Sequence, residues 1–521
     1  MTTTATTTDR PRAILAELAE VRVRFSPSPT GSLHIGGAKS AMYNVLFAHG
    51  QAPREGKRGT FILRIEDTDQ KRLVEGAAEE LMAALRWLGL EWDEGPDVGG
   101  PCAPYIQSQR TALYREHAER LVETGHAYHC FCTPERLAQV REEQQARKQP
   151  PGYDRHCRDL PAAEVGARLA TGATSVVRFK MPVTGETRFV DLLRGEIVYQ
   201  NDKIEDLVLL KTDGFPTYHL ANVVDDHLMR ITHIFRAAEW IPTAPLHVQM
   251  YAAFGWEPPQ FAHLPLILAP TGGKLSKRHG STAVEEFRAQ GYLPEALRNY
   301  LALLGWSLDD HTEVFSLDDL LAHFTIERVS PSPSTFDRPK LDWMNQYYIN
   351  HILTVDDLTG RVIPFLNRAG LIADGAADAS HPAFAQVRAA TALLKDRLTR
   401  LDEAPELMSY FLRDEVEPYD AALLVPKKTE PAVALSALEA VTRVLPNLDI
   451  SDEAAVETRL RALAGELGVK AGQLFMPIRV AITGRTQSPG LFETMRVIGQ
   501  ARCEARLGQA VALLREHVAV A

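Results

Sequence analysis

The sequence is poor in cysteine and has no long apolar run. Five cysteines in 521 residues, an odd number in a long chain, argue against a secreted disulfide framework and favour a reducing compartment. No apolar run approaches the about 18 residues that a membrane-spanning helix needs. The threonine-rich opening, residues 1–8, lacks the apolar segment of a signal peptide. We therefore expect a cytoplasmic protein without membrane partners, whose first residues, 1–19, form a disordered tail.

A net positive charge is also missing. The formal net charge is −10, so a nucleic-acid partner cannot be inferred from overall charge and would have to meet a local basic surface. The chain has no internal repeat, and its low-complexity sequence is confined to the N-terminal threonines. With 45% hydrophobic residues, it is long enough to bury the cores of several modules.

What the first half of the chain does contain is a regular alternation of short apolar runs with helical patterns. The runs are residues 21–25, 61–65, 207–210, 231–235 and 264–268. This alternation predicts an α/β fold with a doubly wound, mostly parallel sheet. Ligands bind outside the carboxyl ends of the strands in such sheets, so the polar residues that follow each run are candidate site residues.

Two short motifs carry a phosphate-binding signal. Residues 27–36, Pro-Ser-Pro-Thr-Gly-Ser-Leu-His-Ile-Gly, follow the first run and lead into a predicted helix at 38–47, and residues 274–278 read Lys-Leu-Ser-Lys-Arg. A helix start after a glycine-containing turn presents N–H groups to an anion. Each motif alone is typical of an ordinary turn or a solvated basic loop. Their joint occurrence predicts a split site for ATP phosphates.

Three charges at predicted strand ends suit an acidic amino acid, which brings two carboxylates and one ammonium. Arg24 and Arg236 can pair with carboxylates through their planar forks. Glu66 is a candidate partner for the ammonium. Each of these residues alone is typical of a protein surface, but their common position at one sheet edge favours a binding site.

The two motifs resemble those of class I aminoacyl-tRNA synthetases, with Gly37 where that class commonly has a final histidine. Residues 64–69, 213–227 and 236–240 are more specific and resemble the glutamyl-tRNA synthetases. The resemblance runs from about residue 20 to the C-terminus. It implies ATP-dependent ligation of L-glutamate to tRNA(Glu) through glutamyl-adenylate, with release of AMP and pyrophosphate, using ATP with Mg²⁺, by a monomer.

The same resemblance implies a domain organisation. A Rossmann-like catalytic domain would comprise residues 20–110 and 206–271, interrupted by an acceptor-stem-binding domain at 111–205. A stem-contact domain with the second ATP motif would follow at 272–353, and an all-α anticodon-binding region at 354–521. Leucine periodicity after Pro294 and again after Ser451 predicts helices at both places.

The family's functional residues carry over to matching positions. The resemblance implies that glutamate's carboxylates are held by Arg24, Ser28, Tyr218, Asn222 and Arg236, and its ammonium by Glu66. ATP would contact Ser28, His34, Gly36, Lys274 and Lys277. Of these residues, His34 and Lys277 are the expected catalytic groups.

Three cysteines inside the predicted insertion raise the question of zinc. Cys130, Cys132 and Cys157 resemble the Cys-x-Cys and Cys-x-His pattern of some family members, but Asp159 stands where the histidine is expected. Asp159 can ligate zinc, and His156 is an alternative fourth ligand. A structural zinc ion and three reduced cysteines without metal both remain open.

A basic group in the helical tail is the candidate tRNA contact. It consists of Arg388, Lys395, Arg397 and Arg400, and such a group is often only a solvated face. By resemblance, Arg397 falls where glutamate-specific enzymes read the last anticodon base, a task suited to the arginine fork. Whether tRNA(Gln) is also charged stays open.

Three alternatives remain. A glutaminyl-tRNA synthetase shares the catalytic half but ends in β-barrels, and a truncated relative that glutamylates a modified tRNA base lacks an anticodon module. The third is a catalytically silent tRNA-binding module that keeps the fold.

Overall fold

The computed structural model describes residues 19–373 and 382–520. Nearly all of the predicted tail lies outside this described part of the chain. Contacts divide the chain into two compact units. The first comprises residues up to Arg288 together with Pro294–Arg338, and the second comprises Ala289–Leu293 together with the residues from Pro339 onward. The finer five-part division expected from the sequence stays a prediction.

The strands lie in the first unit. They are β1 (Glu20–Phe25), β2 (Arg58–Leu63), β3 (Ala127–Cys130), β4 (Val176–Phe179), β5 (Glu186–Asp191), β6 (Gly195–Gln200), β7 (Val208–Leu210), β8 (His233–Ala237), β9 (Gln260–Leu264), β10 (Ile267–Leu268) and β11 (Ser334–Thr335). Their sheets have the strand orders β1-β2, β3-β4-β7, β6-β5-β9-β8 and β10-β11.

Parallel pairing organises the strands that carry the candidate site. β1 pairs with β2, and β8 with β9, in parallel register. Thr232, just before β8, donates its backbone N–H to the carbonyl of Arg22 in β1 at 2.9 Å, which joins the two pairs. Val21, Val23 and Ile234 are buried, as expected for strands covered on both faces. The Rossmann-like parallel sheet expected from the apolar runs is confirmed.

The apolar run at residues 207–210 does not join the parallel sheet. Residues 207–210 were expected in the parallel sheet, but β7 pairs antiparallel with β4 and forms a separate sheet with β3. A short apolar run does not encode its partner or its direction, so periodicity could not place it. Conversely, β5 and β6 fall within the predicted insertion, yet β5 pairs with β9 at Asp191 and Phe261.

The helices of the first unit cover and connect these sheets. They are Ile35–Val45, Ala52–Arg54, Ala77–Trp87, Thr111–Glu123, Pro134–Ala146, Ala162–Ala170, Tyr218–Leu228, Ala244–Phe254, Val284–Ala289, Pro294–Leu303 and Leu317–His323. The first of them continues into a π-helical turn, Leu46–Gln51. Leu220, Val224 and Leu246 are fully buried in one hydrophobic cluster, which fixes the helix Tyr218–Leu228 that carries two of the candidate residues.

The described residues of the second unit form helices and connecting loops, without strands. After Arg338–Tyr347, which leads into it, come Val355–Arg368, Pro382–Leu394, Ala404–Leu412, Pro431–Val444, Glu453–Glu466, Ala471–Thr483, Leu491–Ile498 and Gln500–Val520. Asp452, one residue after the expected Ser451, caps its helix by accepting from the Ala455 N–H at 3.0 Å, because either side chain can serve as a cap. None of the helices in either unit, over the described residues, has the length and apolar character that crossing a membrane requires.

Candidate active site

The carboxyl ends of β1, β2, β8 and β9 open on a cavity of about 1170 Å³. The predicted residues that line it are Arg24, Ser28, His34, Gly36, Glu66, Tyr218, Asn222, Arg236 and Lys274. Lys277 lies in the short helical turn Lys277–His279, and its side chain falls outside what the structure describes. The fold therefore brings both predicted substrate sites to one cavity, whereas the individual roles stay predictions.

The first motif turns from β1 into the helix Ile35–Val45. His34 is the N-cap of this helix, and its Nδ1 accepts from the Gly36 N–H at 3.1 Å. His34 therefore caps the helix, while its ring also lines the cavity. A Cβ at Gly37 would lie 3.2 Å from the Leu33 side chain, so the glycine that replaces the usual histidine allows close packing beneath the turn.

Backbone hydrogen bonds join the two motifs. The Ile35 N–H donates to the Thr282 carbonyl, and the Val284 N–H donates to the Leu33 carbonyl, each at 2.9 Å. Thr282 and Val284 come only a few residues after the second motif. The two distant segments therefore form one structural element beside the cavity, as a split phosphate site requires.

A tight turn precedes the second motif. The Ala269 N–H donates to the Gly273 carbonyl at 2.9 Å, and φ is 85° at Gly272 and 75° at Gly273, values that glycine adopts without strain. Lys274 follows the turn and pairs with Glu239 across the cavity rim. Because this ammonium is exposed, an incoming phosphate can compete for it.

A buried ion cluster lies under the cavity floor. Arg24 donates from Nε and Nη2 to Asp226 at 3.0 and 3.1 Å, and Arg64 donates to the same carboxylate at 2.8 Å. Burial alone would raise the pKa of Asp226, but Arg24 and Arg64 hold it below its ordinary value. In the orientation that satisfies its neighbours, the Asn222 amide oxygen accepts from both arginines at 3.2 Å. Two nitrogens of Arg24, a residue predicted to hold substrate, therefore already donate hydrogen bonds within the protein.

Glu66 is buried beside these cations. Its carboxylate accepts from Arg64 at 3.3 Å, and its backbone N–H donates to the Pro27 carbonyl of the first motif at 2.9 Å. Burial raises the pKa of Glu66 to about 7, against the attraction of Arg64 and Arg24. With a pKa near neutrality, the Glu66 carboxylate would be stabilised in its charged form by a cationic ligand.

Arg236 has a different environment. It is 6% exposed, and its donors go to the Tyr218 hydroxyl at 3.2 Å and to the histidines His263 and His247 at 3.0 and 3.3 Å. No carboxylate of the described residues forms an ion pair with it. It is therefore a buried cation whose charge is available to an anionic ligand.

The sequence did not reveal the buried charged residues that form ion pairs with or beside the predicted site residues. Arg64, Asp225 and Asp226 are fully buried, and the available signal was a pair of aspartates inside an otherwise apolar helix pattern. Lys39 was also missed. It lines the cavity, donates to the Pro265 carbonyl at 2.9 Å, and has its pKa lowered by burial to about 7.

The three predicted cysteine ligands converge. The Sγ atoms of Cys130, Cys132 and Cys157 all lie within 4.8 Å of one another, a spacing that one metal ion can bridge. The Tyr153 hydroxyl lies 3.3 Å from the Cys130 sulfur and 3.9 Å from the Cys132 sulfur. An oxygen that could serve as a fourth ligand thus lies beside two of the three sulfurs.

Asp159 does not join this cluster. Its side chain is 81% exposed and pairs with Lys180 at 3.1 Å. His156, the other candidate, is exposed and is likewise absent from the group of possible ligands. The Asp159 carboxylate is therefore engaged at the surface, whereas the Tyr153 hydroxyl lies beside two of the cysteine sulfurs.

The basic group of the second unit is not a continuous solvated face. Arg388 pairs with Asp356, and Arg400 pairs with Asp402 at 3.0 Å. Arg397 is exposed and donates to the Ser488 carbonyl at 3.1 Å. Of these cations, Arg397 is therefore well placed to meet an external anion or base.

The strand-turn-helix element, its link to the lysine-containing loop and the parallel sheet define a class I tRNA synthetase catalytic domain. Residues 20–343 match the family model for tRNA synthetases class I (E and Q), catalytic domain, and residues 357–511 match an anticodon binding domain. The chain is 48% identical to glutamate–tRNA ligase from Dehalococcoides mccartyi, covering 95% of this chain and 99% of that one. It is also 48% identical to the Chloroflexus aurantiacus enzyme of that name, covering 95% and 98%.

A solved structure gives the same result. The glutamate tRNA ligase from Elizabethkingia meningosepticum, crystallised in complex with its amino acid, superposes with a TM-score of 0.83 at 35% identity, covering 95% of this chain and all of that one. The chain belongs to the glutamate–tRNA ligase family. After β11 the described residues contain no strand, so the β-barrels expected of the glutaminyl alternative are not found there.

Proposed function

We propose that the cavity binds L-glutamate and ATP side by side and joins them as glutamyl-adenylate. The chain is an ATP-dependent ligase that attaches glutamate to tRNA. One observation carries the proposal. The cavity holds both Arg236, which has no carboxylate partner among the described residues, and Glu66, whose pKa is raised by burial to about 7.

Glutamate fits this arrangement by charge. Arg236 and Tyr218 would receive the side-chain carboxylate, and Glu66 the ammonium, with Arg24 and Asn222 closing the floor. Glutamine would place an amide N–H₂ against the guanidinium donors of Arg236. When buried donors that should meet an acceptor are left unpaired, the binding free energy of the ligand is weakened by about 1–3 kcal/mol or more.

ATP occupies the side of the cavity near the two motifs. The α-carboxylate of glutamate attacks the α-phosphorus, and pyrophosphate leaves. His34 and the start of its helix would meet the phosphates, with Lys274 and Lys277 as cations from the second motif. Mg²⁺, which accompanies ATP, supplies further charge neutralisation when bound. The protein's own contribution is placement, because the carboxylate needs no side-chain nucleophile.

The activated glutamyl group then passes to the terminal ribose of tRNA(Glu). We propose that Arg397 contacts the anticodon and favours tRNA(Glu) over tRNA(Gln). The arginine fork suits base edges, and this guanidinium is exposed with one protein contact. A monomeric state and a cytoplasmic location remain predictions from the sequence.

Aminoacylation of unmodified tRNA(Glu) and tRNA(Gln) in parallel tests this function. We expect labelled glutamate to appear on tRNA(Glu) alone, and Arg397→Ala to reduce the preference by about 1–3 kcal/mol. Arg459→Ala, which removes a partly exposed arginine paired with Glu466, is the control. Charging of both tRNAs by the wild type would remove Arg397 as a discriminator. Absence of charging and of tRNA-dependent pyrophosphate exchange would favour the silent module.

Glutamate affinity is expected to rise with pH through about 7, the pKa to which burial raises Glu66. Below this pH the carboxyl group is protonated and cannot pair with the ammonium, so affinity falls by up to about tenfold per pH unit. Glutamate binding measured by calorimetry between about pH 5.5 and about 8.5 tests this, because glutamate itself does not titrate there.

Two variants separate Glu66 from its neighbour. Glu66→Gln should bind weakly at every pH and lose the dependence. Lys39→Met should keep the dependence, although burial lowers the pKa of Lys39 to about 7 as well. A dependence that disappears in Lys39→Met but persists in Glu66→Gln would contradict the assignment.

We further propose a structural zinc site at Cys130, Cys132 and Cys157, with the Tyr153 hydroxyl as fourth donor. Three thiolates are a characteristic zinc ligand set, and a bound ion would tie β3 to the loop that contains Cys157. The closeness of the three sulfurs supports this site, and the position of Tyr153 favours it over Asp159.

Metal analysis of the dialysed protein tests the zinc proposal. We expect about one zinc ion per chain, retained in Asp159→Asn, reduced in Tyr153→Phe and lost in Cys157→Ser. Cys503→Ser, which removes a buried cysteine of the second unit, serves as the matched control and should retain zinc. A wild-type protein that holds no zinc after growth in zinc-supplemented medium would exclude the site, and loss of zinc in Asp159→Asn would restore Asp159 as a ligand.

A further inference from the structure

Arg236 is held by two buried histidines. In the parallel pairing of β8 with β9, Arg236 lies directly opposite His263, and its Nε donates to the His263 Nε2 at 3.0 Å. From the helix Ala244–Phe254, His247 accepts from the Arg236 Nη1 through Nδ1 at 3.3 Å. His263 and His247 are 0% and 1% exposed.

The hydrogen bonds fix the tautomer of each histidine. An arginine can only donate, so the His263 Nε2 and the His247 Nδ1 must both be acceptors. The His263 proton therefore resides on Nδ1, 2.6 Å from the Asp191 carboxylate. The His247 proton resides on Nε2 and points to the His219 Nδ1 at 3.1 Å.

Asp191 is itself a fixed acceptor. It is 1% exposed and accepts from the His263 backbone N–H at 3.0 Å and from those of Leu193 and Arg194 at 3.0 and 3.1 Å. Every partner is a donor, so an isosteric amide would turn an N–H₂ group against donors whichever way it was oriented.

The hydrogen bonds from Arg236 require both histidines to be neutral. Burial, and then repulsion from Arg236, keep the pKa of His247 well below its ordinary value. Burial also lowers the pKa of His263, which the hydrogen bond to Asp191 offsets in part. Arg236 is therefore oriented at two of its nitrogens without being neutralised, unlike Arg24, whose donors meet the carboxylate of Asp226.

We propose that His263 and His247 are positioning residues that aim the Arg236 guanidinium at the side-chain carboxylate of glutamate and preserve its full charge, and so help to determine selectivity for glutamate over glutamine. Asp191 fixes the tautomer of His263, and His219 fixes that of His247. This inference rests on the proposed function of the cavity. It adds that the selectivity for glutamate over glutamine depends on the groups that accept from Arg236 being neutral imidazoles rather than carboxylates.

The decisive comparison is between His247→Asn and His247→Asp. Both place an oxygen near the position of Nδ1 and have nearly the same shape, but only Asp brings a negative charge. With tRNA(Glu), we expect His247→Asn to keep kcat/KM for glutamate within about threefold, and His247→Asp to lose about tenfold or more, because its carboxylate competes with the substrate for Arg236. The loss should lie in KM for glutamate, with KM for ATP unchanged, and the ratio of glutamate to glutamine activation should fall.

A second set of variants tests orientation. His263→Leu and Asp191→Asn should each raise KM for glutamate, and His263→Gln, which restores a neutral acceptor, should recover part of the loss. His233→Leu is the matched control, since His233 is a buried histidine of β8 that packs on Phe47 and Phe235. Its kinetic constants should stay within about twofold of wild type.

Two results would overturn the inference. One is equal behaviour of His247→Asn and His247→Asp, and the other is a parallel rise of KM for ATP and glutamate in the His263 and Asp191 variants, which would indicate a general loss of structure. Failure of the proposed function would look different, because the wild type itself would then show no glutamate-dependent charging.

Discussion

Arg236→Met is expected to lower kcat/KM for glutamate by about a thousandfold. Without the guanidinium, the substrate carboxylate would be buried against a tyrosine hydroxyl and two histidines, with no cation to replace its hydration. Truncating one partner of a buried, hydrogen-bonded charge pair costs about 4 kcal/mol, or about three orders of magnitude. Steady-state aminoacylation with glutamate and ATP varied separately measures the effect, which should leave KM for ATP near its wild-type value.

Two comparisons make this result specific to Arg236. Arg236→Lys keeps the charge but loses the planar fork, so we expect an intermediate loss. Arg188→Ala removes an exposed arginine of β5 that pairs with Glu186 and should behave as wild type. A wild-type KM for glutamate in Arg236→Met would place substrate elsewhere in the cavity.

The positions of the principal site residues could be predicted from the sequence. Arg24, Glu66 and Arg236 each stand at or next to the end of an apolar run, and a parallel sheet brings such ends to one edge. The structure places all three around one cavity. This inference needed only the strand pattern, because in this fold the chain direction decides which end of a strand faces the ligand.

The partners of these residues could not be predicted. Arg24 and Asp226 are separated by most of the catalytic domain, and nothing in a local sequence window couples them. The distinction between a neutralised Arg24 and an uncompensated Arg236 depends on which groups the fold packs against each. Pattern reasoning failed for the same reason at β7, whose strand partner β4 is non-local. At Asp159 the spacing resembles a ligand set, but the side chain is exposed and pairs with Lys180.

The contrast between the two arginines suggests a division of labour in the cavity. Asp226 and Asn222 hold Arg24 by hydrogen bonds at the base of the cavity. There Arg24 supports the shape of the site and attracts the Glu66 carboxylate. Arg236 is oriented by neutral acceptors and retains its charge for substrate. A site for an amino acid with two carboxylates needs a cation that stays available to the ligand and also buried cations that are neutralised within the protein. The ion cluster around Asp226 supplies the second kind.

Asp226→Asn is therefore expected to destabilise the first unit by about 3–5 kcal/mol, because it leaves Arg24 and Arg64 buried without their shared anion. Both arginine side chains are at most 4% exposed. Urea unfolding followed by tryptophan fluorescence reports mainly on this unit, which contains Trp87, Trp92, Trp240, Trp256 and Trp306. Asp202→Asn, at an exposed aspartate paired with Lys203, is the matched control and should leave the transition in place.

A double-mutant cycle shows whether the cost comes from the unpaired charge. Arg64→Met alone should also destabilise, since it leaves the carboxylates of Asp225 and Asp226 underpaired. The double variant Arg64→Met/Asp226→Asn should be more stable than the sum of the single changes implies, with a coupling energy of at least about 2 kcal/mol. Additive effects would mean that Arg64 and Asp226 contribute through separate packing, and the cluster would then not be the rigid base of the proposed glutamate site.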